Sequence, residues 1–294
     1  MKLELTEPGV YDLPADVYHR DPVKGGSLSS TGARKLLPPS APALFKYDRD
    51  HGQKHRNVFD LGHAFHTEVL GAGEQMVIID ADDYKKADTR AIRDAAYADG
   101  RTPLLTHEHE QVLEMAASVR RHPIAGPLFA RDGDVEQTLV WQDPQSGVMC
   151  RAMLDKMIPG QRLIIVDLKS TGSAEPEAIS KSVARYGYIQ QDAFYREGAK
   201  AVGLDPDPRF VFVFVEKTPP HLISIVELDP EAVLWGQRLN RKAIDVYRTC
   251  KATNRWPGYQ DGVLSVSLPA WSTKQLEDAW FAGDLNPTSQ EQSA

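Results

Sequence analysis

Asp155, Asp167 and Lys169 are the residues whose types and spacing could do chemistry together in this 294-residue chain. They lie in the stretch Arg151–Lys169, RAMLDKMIPGQRLIIVDLK. Asp167 and Lys169 are two apart, so on an extended strand both point to one face. Two carboxylates close together in an apolar setting repel each other and are costly to desolvate. A divalent cation removes that cost, because hard cations take carboxylate oxygens. An amine beside such a cation can hold and polarise a water, which is equipment for hydrolysing a phosphodiester. Asp-x-Lys on a strand is also common as a solvated edge pair. The apolar run Leu163–Val166 and the acid twelve positions earlier argue against that simpler reading.

The elements that must position these groups can be read from the same stretch. Two short apolar segments flank Pro159-Gly160, a strong breaker pair. Leu163–Leu168 is short and rich in β-branched residues, so it reads as a buried strand. A hairpin results, with Asp155 on one strand and Asp167 and Lys169 on the next. Glu136, near the start of the first sheet segment, is a further acid close by. Val58, Leu61, Phe65 and Val69 are spaced as the buried face of a helix. Gly62 and His66 stack on an adjacent face of it. A small residue below a histidine lets something approach closely, although a core or surface histidine is the ordinary reading. A later helix, Tyr188–Ala201, places Tyr188, Gln191 and Tyr195 on one stripe. Such residues either want polar partners or simply pack the helix. Phe210–Val215 reads as a central strand, His221–Leu228 as its neighbour, and Pro230–Cys250 as a helix capped by Asp229. The residues between Asp83 and His122 read as polar helix, broken near Gly100 and Pro103. The fold class expected is α/β: a mixed central sheet flanked by helices.

Composition sets the outer bounds. Hydrophobic content of 41% supports a sizeable core. No linker separates two halves, so one domain over 1–283 is expected, with a polar, disordered tail over 284–294. No run of about eighteen apolar residues occurs, and the N-terminus lacks the apolar core of a signal peptide. A cytoplasmic protein with no membrane association is expected. Cys150 and Cys250 are too few for a disulfide framework. The net charge is −7. Residues 20–56 nevertheless hold eight basic side chains against three acidic ones, a net +5, which leaves −12 for the remainder. Local basic surface is what phosphate binding needs. Within it, Ser29, Ser30 and Arg34 stand at the start of a short helix, where amides, hydroxyls and a guanidinium could hold a terminal phosphate.

Taken in order, His66, Asp155, Asp167-Leu168-Lys169 and Gln191-Asp192-Ala193-Phe194-Tyr195 resemble the PD-(D/E)xK nuclease superfamily. The branch is the one with a histidine-bearing helix and a Gln-x-x-x-Tyr motif, which includes the nuclease domain of the RecB helicase–nuclease. The chain looks most like the phage and prophage exonucleases of the RecE (exonuclease VIII) type. Tyr18-His19, Ser29-Ser30, Ser40-Ala41-Pro42 and Trp256-Pro257-Gly258-Tyr259 also look like that group. The usual Pro-Asp is absent, since Leu154 precedes Asp155. The resemblance implies that Asp155, Asp167 and His66 bind Mg²⁺, with Mn²⁺ as the alternative. It implies that Lys169 activates water, and that Gln191 and Tyr195 hold the substrate strand. It further implies a double-stranded DNA exonuclease that degrades duplex ends 5′ to 3′ and leaves a 3′ single strand for recombination, a homo-oligomeric ring and a single-strand annealing protein as partner. Relatives with an iron–sulfur cluster use four cysteines, so none is expected here. A structure-specific endonuclease and a non-catalytic DNA-binding protein are the alternatives.

Overall fold

The computed structural model describes residues 3–52 and 60–285. In chain order it contains β1 (Gly9–Asp12), α1 (Ala15–His19), β2 (Leu28–Ser29), α2 (Ser30–Lys35), α3 (Pro42–His51) and α4 (Asp60–Leu70). These are followed by β3 (Met76–Ile79), α5 (Ala87–Ala98), β4 (Thr102–Leu105), α6 (Thr106–Arg121) and α7 (Ala125–Ala130). Then come β5 (Asp134–Gln142), β6 (Met149–Ile158), β7 (Ile164–Thr171), α8 (Pro176–Tyr186) and α9 (Tyr188–Ala201). The last elements are β8 (Arg209–Glu216), β9 (Ile223–Val226), α10 (Pro230–Thr253) and α11 (Ala270–Ala282).

The main sheet runs β1-β5-β6-β7-β8-β9, with β2 added beside β6. It is mixed: β7–β8 and β2–β6 are parallel, and the other pairs are antiparallel. The parallel β7–β8 pair needs a crossover, and α8 and α9 supply it. Alternation sorts β8 cleanly. Phe210, Phe212 and Phe214 pack with α2, α9 and α10 residues on one face, while Val211, Val213 and Val215 pack with α4 and α6 residues on the other. A strand buried on both faces reads as a continuous apolar run, as here. Each of those phenylalanines, fully or almost fully buried, stabilises the fold by roughly 1.5–3 kcal/mol.

Local chemistry sets the helix boundaries near the site. The Asp229 carboxylate caps α10 by accepting from Ala232 N at 2.7 Å, with Pro230 next. Glu175 caps α8 in the same way, from Glu177 N and Ala178 N. Gly187 ends α8 and starts α9 in a left-handed conformation, φ 68°. A Cβ there would lie 2.7 Å from Arg34 Cδ, so a side chain would be strained by the dihedral and would displace Arg34.

Two elements differ from the sequence expectation. Thr102–Leu105, read as a break within helix, is a strand paired in parallel with Met76–Ile79. Ala125–Ala130, assigned to no element by its sequence, is a short helix. The chain divides into two units, Met1–Trp256 and Pro257–Ala294. In the second, α11 buries none of its residues. The tail beyond 285, Val58, Lys54 and Arg56 lie outside the described residues. No helix among the described residues is long and apolar enough to cross a membrane.

Candidate metal centre and nucleic-acid cleft

The antiparallel ladder of β6 and β7 runs through Ile158–Ile164, Met157–Ile165 and Lys156–Val166. It stops there, and Asp155 and Asp167 would be its next pair. The Asp155 side chain fills the gap: its Oδ2 accepts the Leu168 backbone N–H at 2.8 Å. A carboxylate thus replaces a ladder bond and is held where the strands part. Asp167 and Lys169 follow on β7, on one face as their spacing requires. Asp167 is buried, 2% exposed, and Lys169 Nζ lies 2.5 Å from its Oδ2. Gln191 Nε2, from α9, donates to Asp167 Oδ1 at 2.5 Å. His66, from α4 across the sheet, brings Nε2 to 3.3 Å from Asp155 Oδ2 and holds Nδ1 2.8 Å from the Gly62 carbonyl.

These groups line a cleft of about 470 Å³. Asp155, Asp167, Lys169, His66, Gln191, Tyr195, Ser30 and Arg34 all reach it. Ser29 does not line it; its hydroxyl accepts from Gly32 N at 3.1 Å and serves as the α2 cap. Arg34 lines the cleft with its guanidinium tethered to the Tyr186 carbonyl. Arg151, buried, fastens this N-terminal side to β6. It donates to Ser27 and to the Tyr18 carbonyl and pairs with Asp21 at 3.1 Å. The basic surface expected from residues 20–56 is partly neutralised, because Lys35 pairs with Asp48, Lys46 with Asp50 and Arg20 with Asp16.

Sequence reading passed over His19, His63 and Glu74 as cleft residues, and gave Tyr188 a place on the Gln191 stripe without a role in the site. His63 had a signal: it stands three positions before His66 on the same helix. Tyr188 had one too, sharing a stripe with Gln191; its ring lies 5.1 Å from Lys169 Nζ, a cation–π contact. His19 and Glu74 come from segments that only the fold brings in. Glu136 lines the cleft with a positive φ of 50°, uncommon for a residue with a side chain.

The electrostatics follow from crowding. Burial raises the Asp167 carboxyl; Lys169 opposes this and Asp155 adds to it, leaving it at about 6. Burial alone would raise Asp155 too, but His66 and Lys169 hold it below the usual carboxylate range. For His66, burial favours the neutral ring, yet the Asp155 charge and hydrogen bond outweigh it and raise the imidazole to about 9. Lys169 is desolvated, but Asp167 and Asp155 keep it cationic, with its pKa raised.

A divalent cation fits this set. Asp167 Oδ2 is buried and is met by Lys169 Nζ at 2.5 Å. A carboxylate oxygen has more than one lone pair, so a cation could share it with the ammonium. No three His, Cys, Asp or Glu side chains among the described residues close on a common point. Mg²⁺ does not need them to, since it keeps several waters and binds through one or two carboxylates plus substrate phosphates. Ligation by His66 requires its Nε2 proton to leave. At pH 7.5, Mg²⁺ binding should therefore release close to one proton. Apparent affinity should fall about tenfold per unit as pH drops from 9 toward 6, and more steeply below 6 as Asp167 also protonates. Calorimetry in buffers of different ionisation enthalpy measures this; release near zero would place His66 outside the coordination sphere.

Splayed strands holding two acids and a lysine, flanked by helices on both faces, define a class of protein. Residues 29–265 match the PDDEXK-like domain of unknown function (DUF3799), and the chain belongs to that family. Its fold is similar to that of a candidate exonuclease from Eubacterium rectale, at 11% identity and a TM-score of 0.57, over 90% of this chain and 98% of that one. A phage-related exonuclease from Haemophilus somnus 129PT aligns at 11% identity over 78% of this chain and 96% of that one; its TM-score of 0.33 is too low to bear on the fold. No curated protein matches the chain.

Proposed function

We propose that the protein is a Mg²⁺-dependent exonuclease of double-stranded DNA that works 5′ to 3′ in the cytoplasm and leaves 3′ single strands for recombination. The observation that carries this reading is the convergence of Asp155, Asp167, Lys169 and His66 on one cleft, a buried and a partly buried carboxylate beside an ammonium. Bound Mg²⁺ would supply Lewis acidity to a phosphoryl oxygen and a water of lowered pKa. Asp155 and Asp167 would hold it, with His66 beside them. Lys169, kept cationic by two carboxylates without metal, would orient the attacking water and donate to the phosphoryl oxygens. Tyr188 and Asp167 fix its direction. Gln191 holds Asp167 in register, and Tyr195 borders the strand. A homo-oligomeric ring around the duplex and a single-strand annealing protein that takes the product complete the reading.

End-labelled linear duplex, with Mg²⁺ or with EDTA, tests it. Mononucleotides released only with Mg²⁺ and only from ends are expected. Cutting of closed-circular DNA would instead identify an endonuclease, and binding without cleavage a non-catalytic protein.

End recognition gives a separate expectation. Ser30 and Arg34 line one side of the cleft, in the segment with excess positive charge. Arg34→Ala should slow digestion of 5′-phosphorylated duplex about tenfold more than that of 5′-hydroxyl duplex, the worth of a charge-assisted contact. Equal slowing on both substrates would reduce Arg34 to general basic surface.

A further inference from the structure

One aromatic side chain of the cleft is left open. Tyr186 lines it, yet remains 46% exposed. A single exposed apolar group is ordinary on a surface. This one is anchored and sits beside the chemistry. Its ring leans on that of Tyr188, with centroids 5.8 Å apart and the planes 36° from parallel. Tyr188 is itself seated on Phe212 and Phe214 of β8, at 5.5 Å and 5.9 Å, which ties the pair to the core. The Tyr188 ring is also the one that lies 5.1 Å from Lys169 Nζ. Steps of 5.8 Å and 5.1 Å therefore bound the distance from the Tyr186 ring to the lysine at about 11 Å.

Cations stand beside the ring. Arg185 lies 5.7 Å from it, and the Arg34 guanidinium is tied to the Tyr186 backbone carbonyl. Positive charge next to an open aromatic surface is the make-up of sites for unpaired nucleic-acid strands, where a basic groove follows the backbone and bases stack on rings. The depth of the cleft gives a base reason to need such a ring. Asp167 is only 2% exposed, so a phosphodiester must enter the cleft to meet it. At about 470 Å³ the cleft has the size of a small-molecule site, enough for a nucleotide and not for a duplex. A nucleotide that enters leaves the stack of its helix, and its base loses its neighbours. An aromatic ring recovers part of that cost whatever the base, since every base has a π-face.

We propose that the Tyr186 ring is a stacking surface for an unpaired base of the DNA strand being cut; the identity of this substrate rests on the nuclease reading. At about 3.4 Å per nucleotide, the ring lies within about three nucleotides of the scissile bond. Substitution at 186 keeps the backbone carbonyl that holds Arg34, so a variant tests the ring alone.

The test compares DNA that has the base with DNA that lacks it. Linear duplexes with intact ends, or with abasic residues in place of the terminal nucleotides, are digested with Mg²⁺ in single turnover. Tyr186→Ala should cut the intact end about tenfold more slowly, the scale of one lost stacking contact. Tyr186→Phe keeps the ring and should recover most of that rate. On the abasic end, wild type and Tyr186→Ala should cut alike. In EDTA the two should also melt alike, as expected of a half-exposed side chain. A second readout needs no cleavage. A single strand with 2-aminopurine at its end, whose fluorescence falls when the base stacks, is titrated at low salt in EDTA. Wild type should quench it at saturation, and Tyr186→Ala should not. No slowing, equal slowing of intact and abasic ends, or quenching that is absent or unchanged in Tyr186→Ala overturns the stacking surface, and cleavage by wild type then leaves the nuclease reading standing. A wild type that cuts no DNA, while its quenching depends on Tyr186, overturns the nuclease reading and leaves the stacking surface in place.

Discussion

Asp167→Ala and Lys169→Ala should each fold, and each should cleave linear duplex DNA at less than about one-hundredth of the wild-type rate, the scale of losing one electrostatic partner of the transition state. Their effects on stability should differ, and the difference is diagnostic. Asp167 is an acid whose folded pKa is raised to about 6, chiefly by burial. A raised acid destabilises the fold fully at pH above that value; the penalty fades as pH falls from about 6 toward the unfolded carboxylate range and is absent below it. Asp167→Ala should therefore melt no lower than wild type at pH 7.5 without metal, despite losing the Gln191 bond. Lys169→Ala leaves Asp155 and Asp167 facing each other without their cation. It should melt lower than wild type in EDTA, and Mg²⁺ should restore much of the loss by taking over the neutralisation. Single-turnover cleavage paired with calorimetric melting measures both quantities. Cleavage within a few-fold of wild type in either variant would remove these residues from the chemistry.

The residues that carry this expectation were legible because they combine a period with a cost. Asp167 and Lys169 sit two apart in an apolar strand, and burial of charge in such a strand needs a reason. The hairpin turn, α9 and α10 were equally legible, since breakers and caps mark their ends. Thr102–Leu105 was not, because four residues including a proline, between helical segments, carry too little period to read as a strand. Its partner, Met76–Ile79, is 26 residues earlier in the register, beyond any local pattern. Ser29 and Ser30 show a finer limit. Sequence places both at a helix start, but only backbone geometry tells which hydroxyl caps the helix and which side chain faces the cleft. His19 and Glu74 reach the cleft through long-range packing, and no spacing announces that. The parting of β6 and β7 after Lys156 and Val166 was hidden as well: Asp155 and Asp167 stand there, but nothing in their spacing says that the ladder ends at them.

His66→Ala should raise the Mg²⁺ concentration needed for half-maximal cleavage by about 10–100-fold, with the rate largely recovered at saturating metal. The geometry that motivates this is the division of labour between its two nitrogens. Nδ1 is fixed by the Gly62 carbonyl at 2.8 Å, so the proton sits there and Nε2 faces Asp155 at 3.3 Å. A histidine held by a backbone carbonyl on one nitrogen presents the other as an oriented ligand, and loss of such support costs metal affinity on that scale. Melting must be compared at a chosen pH, because the metal-free pair is itself an ion pair. The imidazole is raised to about 9, so its stabilising contribution is complete below the unfolded value near 6.5 and is lost as pH rises through 9. In EDTA at pH 6, His66→Ala should therefore melt below wild type; at pH 9.5 the gap should narrow sharply. With Mg²⁺ at pH 7.5 the deficit should persist, now as lost metal binding. A metal titration unchanged by the substitution, together with a stability loss independent of pH, would make His66 a packing residue of α4 and leave the two aspartates to bind the cation.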